Sequence, residues 1–253
     1  MNGDFEEIVN KENYTIDDLV QIVRILRSEN GCPWDKVQTH ESIKKDFVEE
    51  VYEVLDAIDC DSEEMMKEEL GDVLLQVIFH TVLEEEKEHF VLQDVMNDIC
   101  KKLIVRHPHV FGEVKADTVD KVLTNWDSIK KETKGQQTFT DTLKSVPKTF
   151  PSLMKAQKLG KRADRAGIDY ENSGDYAEKI KAQLEKAENS SGEEAEREVG
   201  KLLFLVANYG RSKSVDSEQV LSDCCKDFVN RFEELEKGND DLSEVSADEL
   251  YSY

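Results

Sequence analysis

Proline is scarce in this chain: Pro33, Pro108, Pro147 and Pro151 are the only four among 253 residues. An interior proline removes a helical hydrogen bond and clashes with the preceding turn, so this scarcity leaves room for long uninterrupted helices. Cysteine is also sparse. Cys32, Cys60, Cys100, Cys224 and Cys225 are odd in number and irregular in spacing, and no CxxC occurs. That pattern argues against a disulfide framework and against a structural zinc site. No apolar run approaches the ~20 residues of a membrane span, and the first residues lack the basic and apolar regions of a secretory leader. A cytoplasmic protein is expected. Positive charge is short as well, with 33 basic residues against 56 acidic ones and a net charge of −23. So acidic a surface repels nucleic-acid backbones and anionic membranes, and neither is expected as a partner.

What is present is helical periodicity. Ile16, Leu19, Val20, Ile22, Val23, Ile25 and Leu26 recur at helical spacing, which predicts a helix over 15–28. Asn30-Gly31-Cys32-Pro33 breaks it. Further helices are predicted over 41–59, 62–87, 92–105 and 118–133, the second of these opened by a cap at Asp61-Ser62. Residues 134–142 are polar and contain glycine. Beyond them the pattern predicts helices over 150–166, 175–187, 193–211 and 217–237. No strand-like alternation bounded by turns stands out, so the expected fold class is all-α. The expected organisation is a polar lead-in over 1–15, a first domain over 16–134, a linker over 135–144, a second domain over 145–237 and an unfolded acidic tail over 238–253. The halves share a layout: Glu69-Leu70-Gly71-Asp72-Val73-Leu74-Leu75 resembles Glu198-Val199-Gly200-Lys201-Leu202-Leu203-Phe204, which suggests an internal duplication.

The most informative feature is Glu49-Glu50-x-x-Glu53, followed after 15 residues by Glu69-x-x-Asp72. Residues three and four apart share a helix face. Glu50 and Glu53 therefore project together, as do Glu49 and Glu53, and Glu69 and Asp72 do so on the next helix. If the two helices pack antiparallel, four or five carboxylates converge. Like charges so close repel and raise one another's affinity for protons. Hard divalent cations resolve the conflict, and magnesium in particular takes oxygen ligands while keeping waters and sharing phosphates. Chance alone produces ExxE and ExxD in a chain with 56 acids. Here, however, they are interleaved with strong apolar periodicity. Gly71 also sits inside the helix, at a cost of about 1 kcal/mol against alanine, which close approach of a neighbouring helix would explain.

Asn30-Gly31-Cys32-Pro33-Trp34-Asp35-x-x-Gln38-Thr39, Glu49-Glu50-x-x-Glu53, Glu69-x-x-Asp72 and Arg106-His107-Pro108-His109-Val110-Phe111 together resemble the MazG family of nucleoside triphosphate pyrophosphohydrolases. The likeness is strong over 16–135 and weak over 145–237. It implies tandem four-to-five-helix bundles of the all-α NTP pyrophosphatase fold, usually paired as a homodimer. It also implies cleavage of a nucleoside triphosphate between its α- and β-phosphates, giving the monophosphate and pyrophosphate. Carried over, the resemblance makes Glu50, Glu53, Glu69 and Asp72 ligands of Mg²⁺, with Mn²⁺ as a substitute. Glu49 then serves a second metal or the attacking water. Lys102 and Arg106, four apart on one helix face, and Trp126 and Lys130 match the family's triphosphate-binding positions.

Trp34 is expected either to stack on a base or to cap the bundle, Asp35 to cap the turn after it, and His107 and His109 to end a helix. In the second half Ala182, Gln183 and Lys186 stand where the first acids belong, and Lys201 replaces the aspartate partner of Glu198. A lysine cannot ligate magnesium, so this half is expected to be a catalytically dead copy used for dimerisation or scaffolding. Two rivals stand beside this reading. A di-iron bundle needs two Glu-x-x-His pairs, whereas Glu86-x-x-His89 is the one offered. A non-catalytic nucleotide-binding or interaction scaffold would be consistent with the altered second half.

Overall fold

The computed structural model describes residues 8–114, 118, 121, 122, 129, 138–168, 176–239, 242–246, 249 and 250. Most of the helix expected over 118–133, including Trp126 and Lys130, lies outside the described residues. All regular structure among the described residues is helical, and the chain divides into two compact units, Met1–Trp126 and Asp127–Tyr253.

The first unit begins with α1, Ile16–Arg27. Its start is fixed by a reciprocal cap. The Thr15 hydroxyl accepts from the Asp18 amide, and the Asp18 carboxylate accepts from the Thr15 amide at 2.8 Å. Hydrogen bonds from Lys11 and Thr15 hold the Asp18 carboxyl down at about 2. Gly31 then permits a tight exit: a Cβ there would lie 2.3 Å from the carbonyl oxygens of Ile25 and Leu26. The loop that follows carries a short helix, α2 (Pro33–Val37), with proline at its first position. The next helix, α3 (Lys44–Asp59), starts later than the periodicity suggests. Thr39 and Ser42 exchange side chain–backbone hydrogen bonds, and this local turn competes with the helix.

Ser62 caps α4, Glu63–Glu85, through the Met65 amide. Ile78, Phe79, Val82 and Leu83 of α4 meet Val20 and Val23 of α1 and Ile43 ahead of α3, forming the core of the unit. Arg24–Glu85 and Arg27–Glu86 ion pairs tie α1 to the far end of α4. Two further helices, α5 (Leu92–Arg106) and α6 (Pro108–Phe111), complete the described part of the unit. His107 ends α5 by turning its ring onto the Leu103 carbonyl at 2.6 Å, as expected of a terminating turn.

In the second unit, part of the stretch expected as a linker is helical. Thr138 and Asp141 form a reciprocal cap that opens α7, Phe139–Lys144. It packs on α8, Ser152–Arg165, which packs in turn on α10, Gly192–Ser212. Gly160 makes that approach close: a Cβ there would fall 1.7 Å from Asn208 Oδ1. The paired helix of α10 is α9, Tyr176–Glu188, and α11 follows over Ser217–Gly238. In the acidic tail, Leu242–Glu244 form a short 3-10 helix. Leu242, Val245 and Leu250 line a small cavity with Phe232 and Leu235 of α11.

Candidate metal centre

Contacts between α3 and α4 run in opposite chain directions. Glu53 meets Glu69, Glu50 meets Asp72 and Gln76, and the Phe47 ring lies 5.5 Å from His80. The two helices are therefore antiparallel, and each turn of one is matched to a turn of the other. Ala57 of α3 is small and fully buried, which allows this hairpin to close at its tight end.

The pairing brings the predicted carboxylates together. Glu50, Glu69 and Asp72 each offer an oxygen, and all three oxygens lie within 4.8 Å of one another. Glu53 reaches both Glu50 and Glu69. All but the more exposed Glu53 are half-buried. Burial pushes the Glu50 carboxyl above the usual glutamate range; Asp72 and Glu53 add to the rise, and a hydrogen bond from Gln76 opposes it. Burial likewise raises Glu69, reinforced by Glu53, Glu68 and Asp72. The principal groups acting on these two acids are thus acidic or neutral, so the cluster is short of positive charge. A donor set made only of carboxylate oxygens suits a hard divalent cation.

Glu49 stands apart from the cluster. It faces the exposed side of α3 and pairs with Lys45 at 2.6 Å. Lys102 is exposed on α5, and Arg106 is buried at the end of that helix. Trp34 is 58% exposed, so it does not cap the bundle within this unit. Asp35 contributes its backbone: its carbonyl accepts from the Gln38 amide and from Arg27. Gly71 serves no close approach, since a Cβ there would meet nothing within 4 Å. Sequence reasoning missed Gln76, although its position four residues after Asp72 places it on the same face and could have revealed it.

In the second unit α9 and α10 also pack together, around a different set of side chains. Gln183 donates to the Glu198 backbone carbonyl at 3.0 Å and to its carboxylate at 2.6 Å, and Lys201 sits 2.5 Å from the same carboxylate. Lys201 and Gln183, aided by the charge of Lys186, draw the Glu198 carboxyl below its usual range, the reverse of the first unit.

Comparison with known proteins agrees with the geometry. Residues 38–111 match the MazG nucleotide pyrophosphohydrolase domain. The nucleoside triphosphate pyrophosphohydrolase/pyrophosphatase MazG of Thermotoga maritima is 40% identical over 222 residues, covering 87% of this chain and 85% of that protein. The nucleoside triphosphate pyrophosphohydrolase of Escherichia coli K12 is 37% identical over 229 residues, covering 88% and 87%. The uncharacterised protein YabN of Bacillus subtilis is 41% identical over 221 residues, which make up 45% of its length. With carboxylates gathered on one helical hairpin and the Thermotoga and Escherichia relatives matched along most of their length, the chain belongs to the MazG family of nucleoside triphosphate pyrophosphohydrolases.

Proposed function

We propose that the chain is an enzyme that hydrolyses nucleoside triphosphates between the α- and β-phosphates, releasing the monophosphate and pyrophosphate. The observation that carries this reading is the convergence of Glu50, Glu69 and Asp72 within 4.8 Å on antiparallel helices. Glu50, Glu53, Glu69 and Asp72 supply oxygen ligands for Mg²⁺, with Mn²⁺ as a substitute. A divalent ion bound there lowers the pKa of a coordinated water and neutralises phosphate oxygens as charge develops. Glu49 is assigned to the attacking water or a second ion; an exposed pair such as Glu49–Lys45 is weak and readily exchanged. Lys102, Arg106, Trp126 and Lys130 are assigned to the triphosphate.

The second unit is read as a copy without metal chemistry. Lys201 and Gln183 already satisfy Glu198, which supports a scaffolding role. A homodimer is supported by the exposed apolar residues Val51, Leu55 and Ile58 on α3 and Leu70 and Leu74 on α4, which water alone would otherwise cover. No described helix is long and apolar enough to cross a membrane, and we place the protein in the cytoplasm, free of nucleic acid.

Hydrolysis of a nucleotide panel with Mg²⁺ in ¹⁸O water tests the reading. The expected products are pyrophosphate and a monophosphate carrying the label, with both lost in Glu53→Ala and Asp72→Ala. Release of orthophosphate from the γ-position, or equal turnover by wild type and variants, would overturn it.

A further inference from the structure

Outside the carboxylate cluster, a second group of ionisable side chains gathers at the other end of the α3–α4 interface. His40 Nε2 lies 2.5 Å from Glu84 Oε1, and His40 Nδ1 lies 2.7 Å from His80 Nδ1. The two rings are parallel within 2°, with centroids 5.0 Å apart. A centroid separation nearly twice the nitrogen contact means that the rings meet edge to edge, nitrogen facing nitrogen.

Such a contact counts protons. Two facing nitrogens share one proton, since one must donate and the other accept. With His40 Nε2–H donated to Glu84, a neutral His40 accepts at Nδ1 from His80 Nδ1–H, whereas a charged His40 donates from Nδ1 to His80 Nδ1; either way one proton lies between the rings. In the first case His80 Nε2 remains open to one further proton, which the contact tolerates. One more would place N–H groups on both facing atoms and force the rings apart.

Burial and the repulsion between two charged rings keep the pair from reaching that state near neutrality. Glu84 is held at about 2 by bonds from Lys87, His89 and His40, so it stays an acceptor. Burial, and then the charge of His40, lower the proton affinity of His80. On α1, Arg24 and Arg27 are taken up by Glu85 and Glu86, and at the start of α3 Lys44 pairs with Glu41 and Lys45 with Glu49. Phe47, the α3 side chain seated against His80, carries no charge.

The placement gives the pair a task. His40 precedes Ile43, which is buried in the core and opens α3. Passing along α4 from His80, the same interface meets Gln76 with Glu50, then Asp72, then Glu69 with Glu53. Mutual repulsion of the carboxylates pushes α3 and α4 apart at one end; the imidazole contact joins them at the other. We propose that His40 and His80 are positioning residues, a one-proton latch that fixes the register of α3 on α4 and so pre-forms the metal centre. The consequence for metal use rests on the reading of that centre given above; the proton sharing itself does not.

Long-range ¹H–¹⁵N spectra of the imidazoles in the metal-free, full-length protein test the latch without reference to activity. One proton shared between the facing nitrogens of His40 and His80 is expected at neutral pH, with His80 becoming charged only below the ordinary imidazole range. Independent titration of both in the ordinary range would overturn the latch. In the catalytic arm, His80→Phe is expected to raise the Mg²⁺ concentration for half-maximal hydrolysis by about tenfold, with little change in kcat at saturating Mg²⁺. His80→Gln, whose amide can still bond His40 Nδ1, is expected to restore most of that loss. An unchanged Mg²⁺ requirement in His80→Phe, or a His80→Gln as impaired as His80→Phe, refutes the positioning role. Absence of hydrolysis in the wild type counts against the proposed function alone, and the imidazole titration then decides the latch.

Discussion

Replacing Glu50 by glutamine is expected to move stability in opposite directions with and without metal. The side chain keeps its shape and its neighbour Gln76 but loses a charge that faces Asp72 and Glu53. One oxygen from each of Glu50, Glu69 and Asp72 lies within 4.8 Å of the others. At that distance two unit charges repel by about 0.9 kcal/mol in a water-like medium and about 3.5 kcal/mol at a dielectric of 20. Partial solvent exposure screens the interaction toward the lower figure, so relief of about 1 kcal/mol is expected. For a chain of this length that is a rise in Tm of about 2–4 °C in the presence of EDTA. Millimolar Mg²⁺ should then stabilise the wild type by mass action and the variant much less, so that their order reverses. Differential scanning fluorimetry across an EDTA-to-Mg²⁺ series reads both effects. A variant less stable than wild type by the same amount in both buffers would refute the electrostatic reasoning and mark Glu50 as a purely structural residue.

Acid should loosen the start of α1. The Asp18 carboxyl is held at about 2 in the folded chain, below its unfolded value, so its contribution is complete above the unfolded value and lost as pH falls through about 2. Urea midpoints of wild type should fall more steeply than those of Asp18→Asn across that window. Gly160→Ala should cost about 1–3 kcal/mol, because the added Cβ meets the buried Asn208 amide, whereas Gly71→Ala should gain about 1 kcal/mol in open space; paired thermal melts compare them. Arg27→Lys removes a fork that holds Glu86 and the carbonyls of Asp35 and Gln38. Hydrogen exchange over residues 30–40 should quicken, since a lysine offers one point charge in place of that geometry.

The helices and the acidic pair of motifs were legible because both depend on one periodicity. Apolar spacing set the buried faces of α1 and α4, and the same 3.6-residue repeat put Glu50 with Glu53 and Glu69 with Asp72. Antiparallel packing, which the short connection at residues 60–62 enforces, did the rest. What sequence left open depended on particular neighbours. Spacing cannot tell that Glu49 turns toward Lys45, one residue from a carboxylate that turns inward. Trp34 is an apolar residue that stays exposed, and Gly71 looked like a packing glycine while facing open space. The His40–His80 contact joins residues 40 positions apart, and His40 sits in a loop without periodicity, so no local pattern announces it. In the second unit the substitutions around Glu198 were readable; the two bonds from Gln183 that complete its coordination were not.

Anomalous diffraction from crystals grown with Mn²⁺ and a non-hydrolysable α,β-imido nucleoside triphosphate bears most directly on the metal centre. Manganese density is expected between α3 and α4, within coordination distance of Glu50, Glu69 and Asp72 and adjacent to the α-phosphate. Manganese bound elsewhere, with those three side chains touching neither metal nor phosphate, would contradict it.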